Sequence, residues 1–337
     1  MKARAAGSKI PARFRGEHHM RKTIALAAAC AAFAGTSARA TESGGNVYPL
    51  GAEGTLAGAL PPPGVYYLGY VQSYSADRFN DVDGKQGFIP AFDVDAQAAV
   101  SRVVWVTGRK VLGADLAMHV VAPVVRLDAH IAGVSDRRTG VTDVTVDPLI
   151  LGWHFTNGLH VLTGVDINVP VGNYSRTSVA NISRHHWNVE PVVAVAYYPK
   201  NGLQFDLKAM YDINFKNRDA QINALNPTGA DYRSGNELHV DFAATKPVHP
   251  KVSVGVGGYY YRQTTSDQVD DPAAQATIDA LGGFKGEVFA AGPTVRVAAG
   301  KAQVIATWQH EFTARYRPQG EKLWIKMILP LASFSRK

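Results

Sequence analysis

Twelve stretches that read as β-strands fill residues 65–334, and for ten successive joints the connections between them alternate strictly between short and long. The short joints fall at residues 107–110, 156–158, 199–202, 247–251 and 299–301, most of them carrying the Asn, Gly or Pro that tight turns need. The long ones fall at 79–90, 128–140, 172–185, 217–232 and 266–283. Only the eleventh, at 317–320, is short where a long one is due. This rhythm is that of an all-β fold, a transmembrane antiparallel β-barrel of twelve strands with short periplasmic turns and long external loops. An even strand number returns both chain ends to the periplasmic face.

Patterning inside the strands carries the same expectation. Across residues 203–215 the apolar set Leu203, Phe205, Leu207, Ala209, Tyr211, Ile213 and Phe215 alternates with Gln204, Asp206, Lys208, Met210, Asp212 and Asn214. Leu238, Val240, Phe242 and Ala244 alternate with Glu237, His239, Asp241 and Thr245, and Val304, Ala306, Trp308 and Phe312 with Gln303, Thr307, Gln309, Glu311 and Arg315. In a sealed soluble core such unpaired charges would cost several kcal/mol each, whereas a wet lumen removes that cost. Asp206, Lys208, Asp212, Glu237, His239, Asp241, Gln309, Glu311 and Arg315 are therefore the expected lumen-lining residues. Residues 91–107 and 110–128 show no clean alternation, with Val103 to Val106 forming an apolar run, and their faces are left unassigned. The strands exceed the roughly 9–11 residues a bilayer crossing needs, so their ends project beyond it.

The N-terminus divides from the rest by composition. Residues 1–40 read as a signal peptide: Arg21 and Lys22 form the basic region, residues 23–34 the apolar stretch, and Ala38-Arg39-Ala40 the cleavage site, with Met20 an alternative start. Taking its eight basic residues and one acid from the 35 and 28 of the whole chain leaves 27 of each, so the net charge of +7 belongs to the signal and offers no surface for nucleic acid. The lone cysteine, Cys30, also falls there, leaving no thiol for a disulfide or metal site. No later apolar run reaches membrane-helix length, so a membrane location requires a closed barrel. Residues 41–63, rich in Gly, Ala and Pro, read either as a periplasmic leader or as a small hatch folded back into the lumen, and residues 64–337 as the barrel.

Aromatics near strand ends fit interfacial girdles, with Trp105, Trp153, Tyr197 and Tyr198 on the short-turn side and Trp187, Phe215, Tyr259, Tyr260 and Tyr261 on the long-loop side. In the loop at 266–283, Asp271-Pro272 followed by an Ala-rich run and Gly282-Gly283 reads as a capped helix rather than a calcium loop. No catalytic motif is present. His239 and Asp241, at i and i+2, stand about 6.5–7 Å apart along a strand, too far for direct contact, and His185-His186 beside Ser183 lacks a third partner. The expectation is no enzyme, and no catalytic, metal or cofactor site.

The segments at 60–66, 140–143, 148–153, 170–174, 232–235, 263–267 and 292–293, in this order and spacing, resemble an outer-membrane family named for a MetA (meta-cleavage) pathway of phenol degradation. That resemblance implies an outer-membrane location and passage of small, aromatic or hydrophobic compounds into the periplasm by facilitated diffusion, without a cofactor. The implied partners are the lipid bilayer and lipopolysaccharide, the barrel-assembly machinery and a small-molecule substrate. A structural or adhesive barrel with a closed lumen and partner-binding loops is the alternative, and a soluble secreted β-protein a third.

Overall fold

A computed structural model describes residues 45–334; the signal region and residues 335–337 lie outside the described residues. Twelve long strands form one sheet: β1 (Gly64–Phe79), β2 (Asp93–Val111), β3 (Ala114–Ile131), β5 (Val144–His154), β6 (Leu159–Val169), β7 (Asn188–Tyr197), β8 (Gln204–Asn214), β10 (Glu237–His249), β11 (Val252–Gln263), β13 (Glu287–Ala299), β14 (Ala302–Arg315) and β15 (Pro318–Ser333). Each pairs antiparallel with its neighbour along this order, and β15 returns to pair with β1, so the sheet closes on itself. A short strand, β4 (Val134–Val141), extends β3 into a hairpin, and β9 (Tyr232–Arg233) pairs with β12 (Gln268–Val269) among the long loops.

Closure leaves two faces and the sequence period sorts side chains between them. On β8, Phe205, Leu207 and Ile213 are 45%, 47% and 38% exposed, while Asp206, Lys208 and Asp212 are 4%, 6% and 0% exposed. On β15, Leu323, Ile325 and Met327 face out and Lys322, Trp324 and Lys326 face in. Apolar groups stand outside and charges inside, the inverse of a soluble core and the arrangement a barrel in lipid requires. Among the described residues no helix is long and apolar enough to cross a membrane; the strands do so.

Two expected connections are revised. Residues 107–110 are no turn: β2 continues to Val111, the register slips between Val106 and Lys110, and Gly108 takes φ +76° within that irregularity. The reversal occurs instead at Leu112-Gly113, both left-handed. Residues 128–140 are no open loop, because β3 runs on to Ile131 and doubles back as β4. The faces of β2 resolve despite its apolar run: Val103 and Trp105 point out, while Val104 and Val106 point in against Tyr66, Ala117, Ile150 and Leu60. Alternation was hidden because both faces are apolar there.

The helix in the loop forms as expected, as α1 (Pro272–Ala280), with the Asp271 carboxylate accepting from the Ala273 and Ala274 amides at 2.9 and 3.0 Å. The girdle is corrected at three tyrosines: Tyr198 turns its hydroxyl inward to Asp206, Tyr259 and Tyr261 are fully buried on the inner face, and the period-two rule leaves only Tyr260 of the last trio to face outward. Pro330 sits where the register of β15 against β1 shifts, between Val65 and Tyr66, so its missing donor falls at an irregularity. Residues from six external connections, including Phe79, Ile89, Ile131, Leu225, Ile278, Phe284 and Tyr316, pack into one apolar cluster. The long loops thus meet one another rather than standing apart.

Candidate channel lumen

Residues 45–63 run inside the barrel. Near the short-turn end Leu60 packs among Tyr66, Val104 and Ile150, and Gly58 lies so close to β7 that a Cβ there would stand 2.6 Å from the backbone of Val195 and Ala196. At mid-height Asp241 accepts from the Gly51 amide, the Glu53 amide and the Tyr48 hydroxyl, each at 2.9 Å. Lys322 and the Trp324 indole both donate to the Leu50 carbonyl at 3.2 Å, and Gln309 donates to the Gly51 carbonyl at 3.1 Å. Toward the long-loop end Arg317 donates to Asn46 at 2.8 Å.

Glu53 is the electrostatic centre of the contact. One of its oxygens meets the Arg102 guanidinium and accepts from Tyr70 at 2.7 Å; the other faces Lys326 Nζ at 3.3 Å. Lys326 also donates to the Thr55 carbonyl at 2.9 Å. Burial alone would raise the Glu53 pKa, but Lys326 and Arg102 outweigh it and hold the carboxyl well below the usual range. Burial and the neighbouring Asp241 carboxylate push the Tyr48 phenol well up, so it stays a donor. Gly51 has φ +79°, and a Cβ would land 2.3 Å from Gln309 Oε1 and 2.7 Å from the Tyr259 ring; only glycine passes there.

Eight of the nine residues expected to line the lumen are buried on the inner face. Asp241 and Gln309 bond the inner segment as above. Asp206 accepts from the Tyr198 hydroxyl at 2.7 Å, and the Lys208 ammonium sits 5.1 Å from the centre of the Tyr48 ring. Glu311 accepts from Tyr74 at 3.1 Å, from Tyr259 and from the Gly320 amide at 2.7 Å. Asp212 meets His239 Nε2 at 2.7 Å, and Glu237 stands beside them. His239 and Asp241 share a face but have different partners, as their spacing implied.

Arg315 is the exception. The register of β14 against β13 shifts at Phe289/Ala290, so Phe312 and Thr313 both face outward; parity inverts, and Arg315 lies outside, its side chain 56% exposed and 3.9 Å from Glu287.

Sequence reading missed Tyr48, Glu53, Arg102, His119, Asp166 and Glu190. It also missed Lys322 and Lys326, whose alternation with Leu323, Ile325 and Met327 was a signal of the same kind as on β8. His185 and His186 do not form a site with Ser183: His185 stacks on Tyr174 at 4.4 Å, Ser183 donates to Asp143 at 2.6 Å, and burial holds the His186 pKa below its ordinary value. The loop acids also have protein partners, with Asp267 accepting from the Gly235 amide and Asp270 from Lys216.

Several spaces remain beside the inner segment. A cavity of 240 Å³ lies toward the long loops, lined by Tyr48, Tyr74, Val125, Ile182, Glu311 and Arg317 among others. A smaller space of 50 Å³ lies near Glu53, Arg102 and Trp324, and one of 30 Å³ near Leu60 and Ile150.

A closed twelve-strand barrel with an apolar exterior, a charged interior and a chain segment threaded through it defines a transmembrane β-barrel of the outer-membrane type. The chain belongs to the family described as "Putative MetA-pathway of phenol degradation", whose model matches residues 76–327. Its fold is similar to that of an outer membrane channel from Pseudomonas putida F1, with a TM-score of 0.70 at 17% identity over 84% of this chain and 99% of that one. The transport unit of the autotransporter AIDA-I from Escherichia coli gives 0.48 at 10% identity over 80% and 90%. No curated protein matches the sequence.

Proposed function

We propose that the protein is a gated outer-membrane channel for facilitated diffusion of small aromatic or hydrophobic compounds into the periplasm, and that it performs no catalysis. The observation that carries this reading is the lumen itself, lined by charged and hydroxylated side chains yet occupied by residues 45–63, beside which lie small spaces of 50 and 30 Å³. Movement of that segment is what opens a path. The 240 Å³ space exceeds the roughly 150 Å³ apolar cavity that accepts benzene, and its mixture of Tyr, Val and Ile with Arg317 and Glu311 suits a single ring bearing a polar substituent. The family name points to the same chemistry. Diffusion down a gradient needs no cofactor. In this reading the protein is exported through a cleaved signal peptide, inserted by the barrel-assembly machinery and contacted by lipopolysaccharide outside.

Liposomes holding the protein should admit a single-ring aromatic carboxylate faster than a sugar of similar size, and a deletion strain should take up less of it. Unchanged uptake together with no conductance in a planar bilayer would remove the transport claim. That result would favour the second reading, a closed structural or adhesive barrel, for which the shared apolar cluster of the external loops is the supporting observation.

A further inference from the structure

Four acids form a row across the inner face of adjacent strands. Asp166 on β6 stands opposite Glu190 on β7, and Asp212 on β8 stands opposite Glu237 on β10. The flanking pairs Val189 with Ile213 and Val192 with Met210 place Glu190 level with Asp212. Like charges directly opposite one another destabilise a sheet even in water, and all four are at most 4% exposed. Asp166 is matched by His119 Nε2 at 2.8 Å, which leaves three carboxylates facing one imidazole, His239.

The hydrogen bonding of these three is incomplete. Both oxygens of Glu190, Oδ1 of Asp212, Oε2 of Glu237 and Nδ1 of His239 are buried without a hydrogen-bond partner. His239 Nε2 lies 2.7 Å from Asp212 Oδ2 and 3.4 Å from Glu190 Oε2, and one ligand atom each from Glu190, Asp212 and His239 lies within 4.8 Å of the others. Tetrahedral zinc, with bonds of about 2.1 Å, places its ligand atoms roughly 3.4 Å apart. The nearby cations are engaged elsewhere: Arg317 over the Tyr261 ring at 4.1 Å and on Asn46, Lys208 over the Tyr48 ring. Asp241, two residues from His239, is committed to the amides of the inner segment.

We propose that Glu190, Asp212 and His239, with Glu237 beside them, bind one divalent first-row metal ion of the zinc class. A dication offsets two of the three negative charges left in the row and takes up the stranded carboxylate oxygens. One imidazole with carboxylates favours zinc over calcium or magnesium, which prefer oxygen alone. The site adjoins the inner segment, because the Tyr48 ring lies 4.7 Å from the His239 ring at 32°. The bound ion fixes the imidazole against which Tyr48 packs, and so ties three strands and the segment together.

The test uses the full-length barrel, refolded in detergent with a chelator and then with Zn²⁺ or Co²⁺, its folding confirmed by heat-modifiable gel mobility. One equivalent of metal should remain after gel filtration, and X-ray absorption of the zinc form should show one imidazole among oxygen ligands. Glu190→Gln and His239→Gln should each lower retention at least tenfold, whereas the double variant His154→Ala/His160→Ala, at the exposed imidazole pair near the short turns, should retain the ion. Absence of bound metal in the wild-type barrel would overturn the proposal and leave shared protons to hold the row. So would a zinc shell with two imidazoles, or loss of metal only in the double variant. The two-imidazole criterion reads the wild-type protein and stands even where a variant fails to fold.

Discussion

Glu53→Gln preserves the shape of the side chain and removes the charge that seats residues 45–63. In the seated state this carboxylate faces Arg102 and Lys326, both largely buried. Stranding the partners of a buried ion pair costs about 3–5 kcal/mol. With the segment withdrawn, water solvates the two cations, so the penalty falls on the seated state alone. At 1.36 kcal/mol per tenfold, even the lower figure raises the ratio of unseated to seated protein about 150-fold. Single-channel recording in a planar bilayer at pH 7 should show this as a large increase in open probability. Protonation should mimic the substitution. The folded-state pKa of Glu53 lies well below the usual value of about 4.3, so its contribution is full above that value and is lost as pH falls toward the folded pKa. Open probability governed by Glu53 should therefore stay flat from pH 8 to 5 and rise only in stronger acid. A folded Glu53→Gln barrel with the same recordings as wild type would refute the reasoning.

Three further outcomes are expected. Gly51→Ala places a Cβ 2.3 Å from Gln309 Oε1 at φ +79°, costing the seated state about 1–3 kcal/mol and raising conductance; Gly113→Ala, at φ +77° with open space around it, should leave conductance unchanged. Val193→Arg, on the outer face near the middle of β7, should destabilise the barrel by about 2–4 kcal/mol in a refolding titration in lipid. Asp271→Ala removes the cap of α1 at a cost of about 1 kcal/mol, read as faster amide exchange confined to that loop.

The strands were legible because a barrel wall in lipid imposes period two on nearly every residue, and β8, β10 and most of β14 obey it. The failures have separate physical causes. On β2 both faces are apolar, since Val104 and Val106 meet Leu60 of the inner segment, so no alternation exists to read. At Phe312 a register shift inverts the parity and carries Arg315 outside. At Gly108 a positive φ that could serve a turn serves an irregular stretch of strand instead. The acidic row escaped notice for a different reason: Asp166, Glu190, Asp212 and Glu237 lie on four strands, and only the register brings them level.

The inner segment was the least legible element, and the reason bears on its function. Residues 45–63 have no periodicity, because their contacts are with single side chains on widely separated strands, Asp241 on β10, Gln309 on β14 and Lys322 and Lys326 on β15. These contacts are made largely to the segment's backbone, which no residue pattern records. The two irregularities of the sequence, the short eleventh joint and the stretch before the first strand, prove to touch. With only Tyr316 and Arg317 between β14 and β15, no long loop intervenes, and Arg317 turns inward over Tyr261 to hold Asn46. A long loop at that joint would free Arg317 from the inner rim and leave the outer end of the segment without its anchor. The brevity of this joint and the seating of the segment are therefore one device.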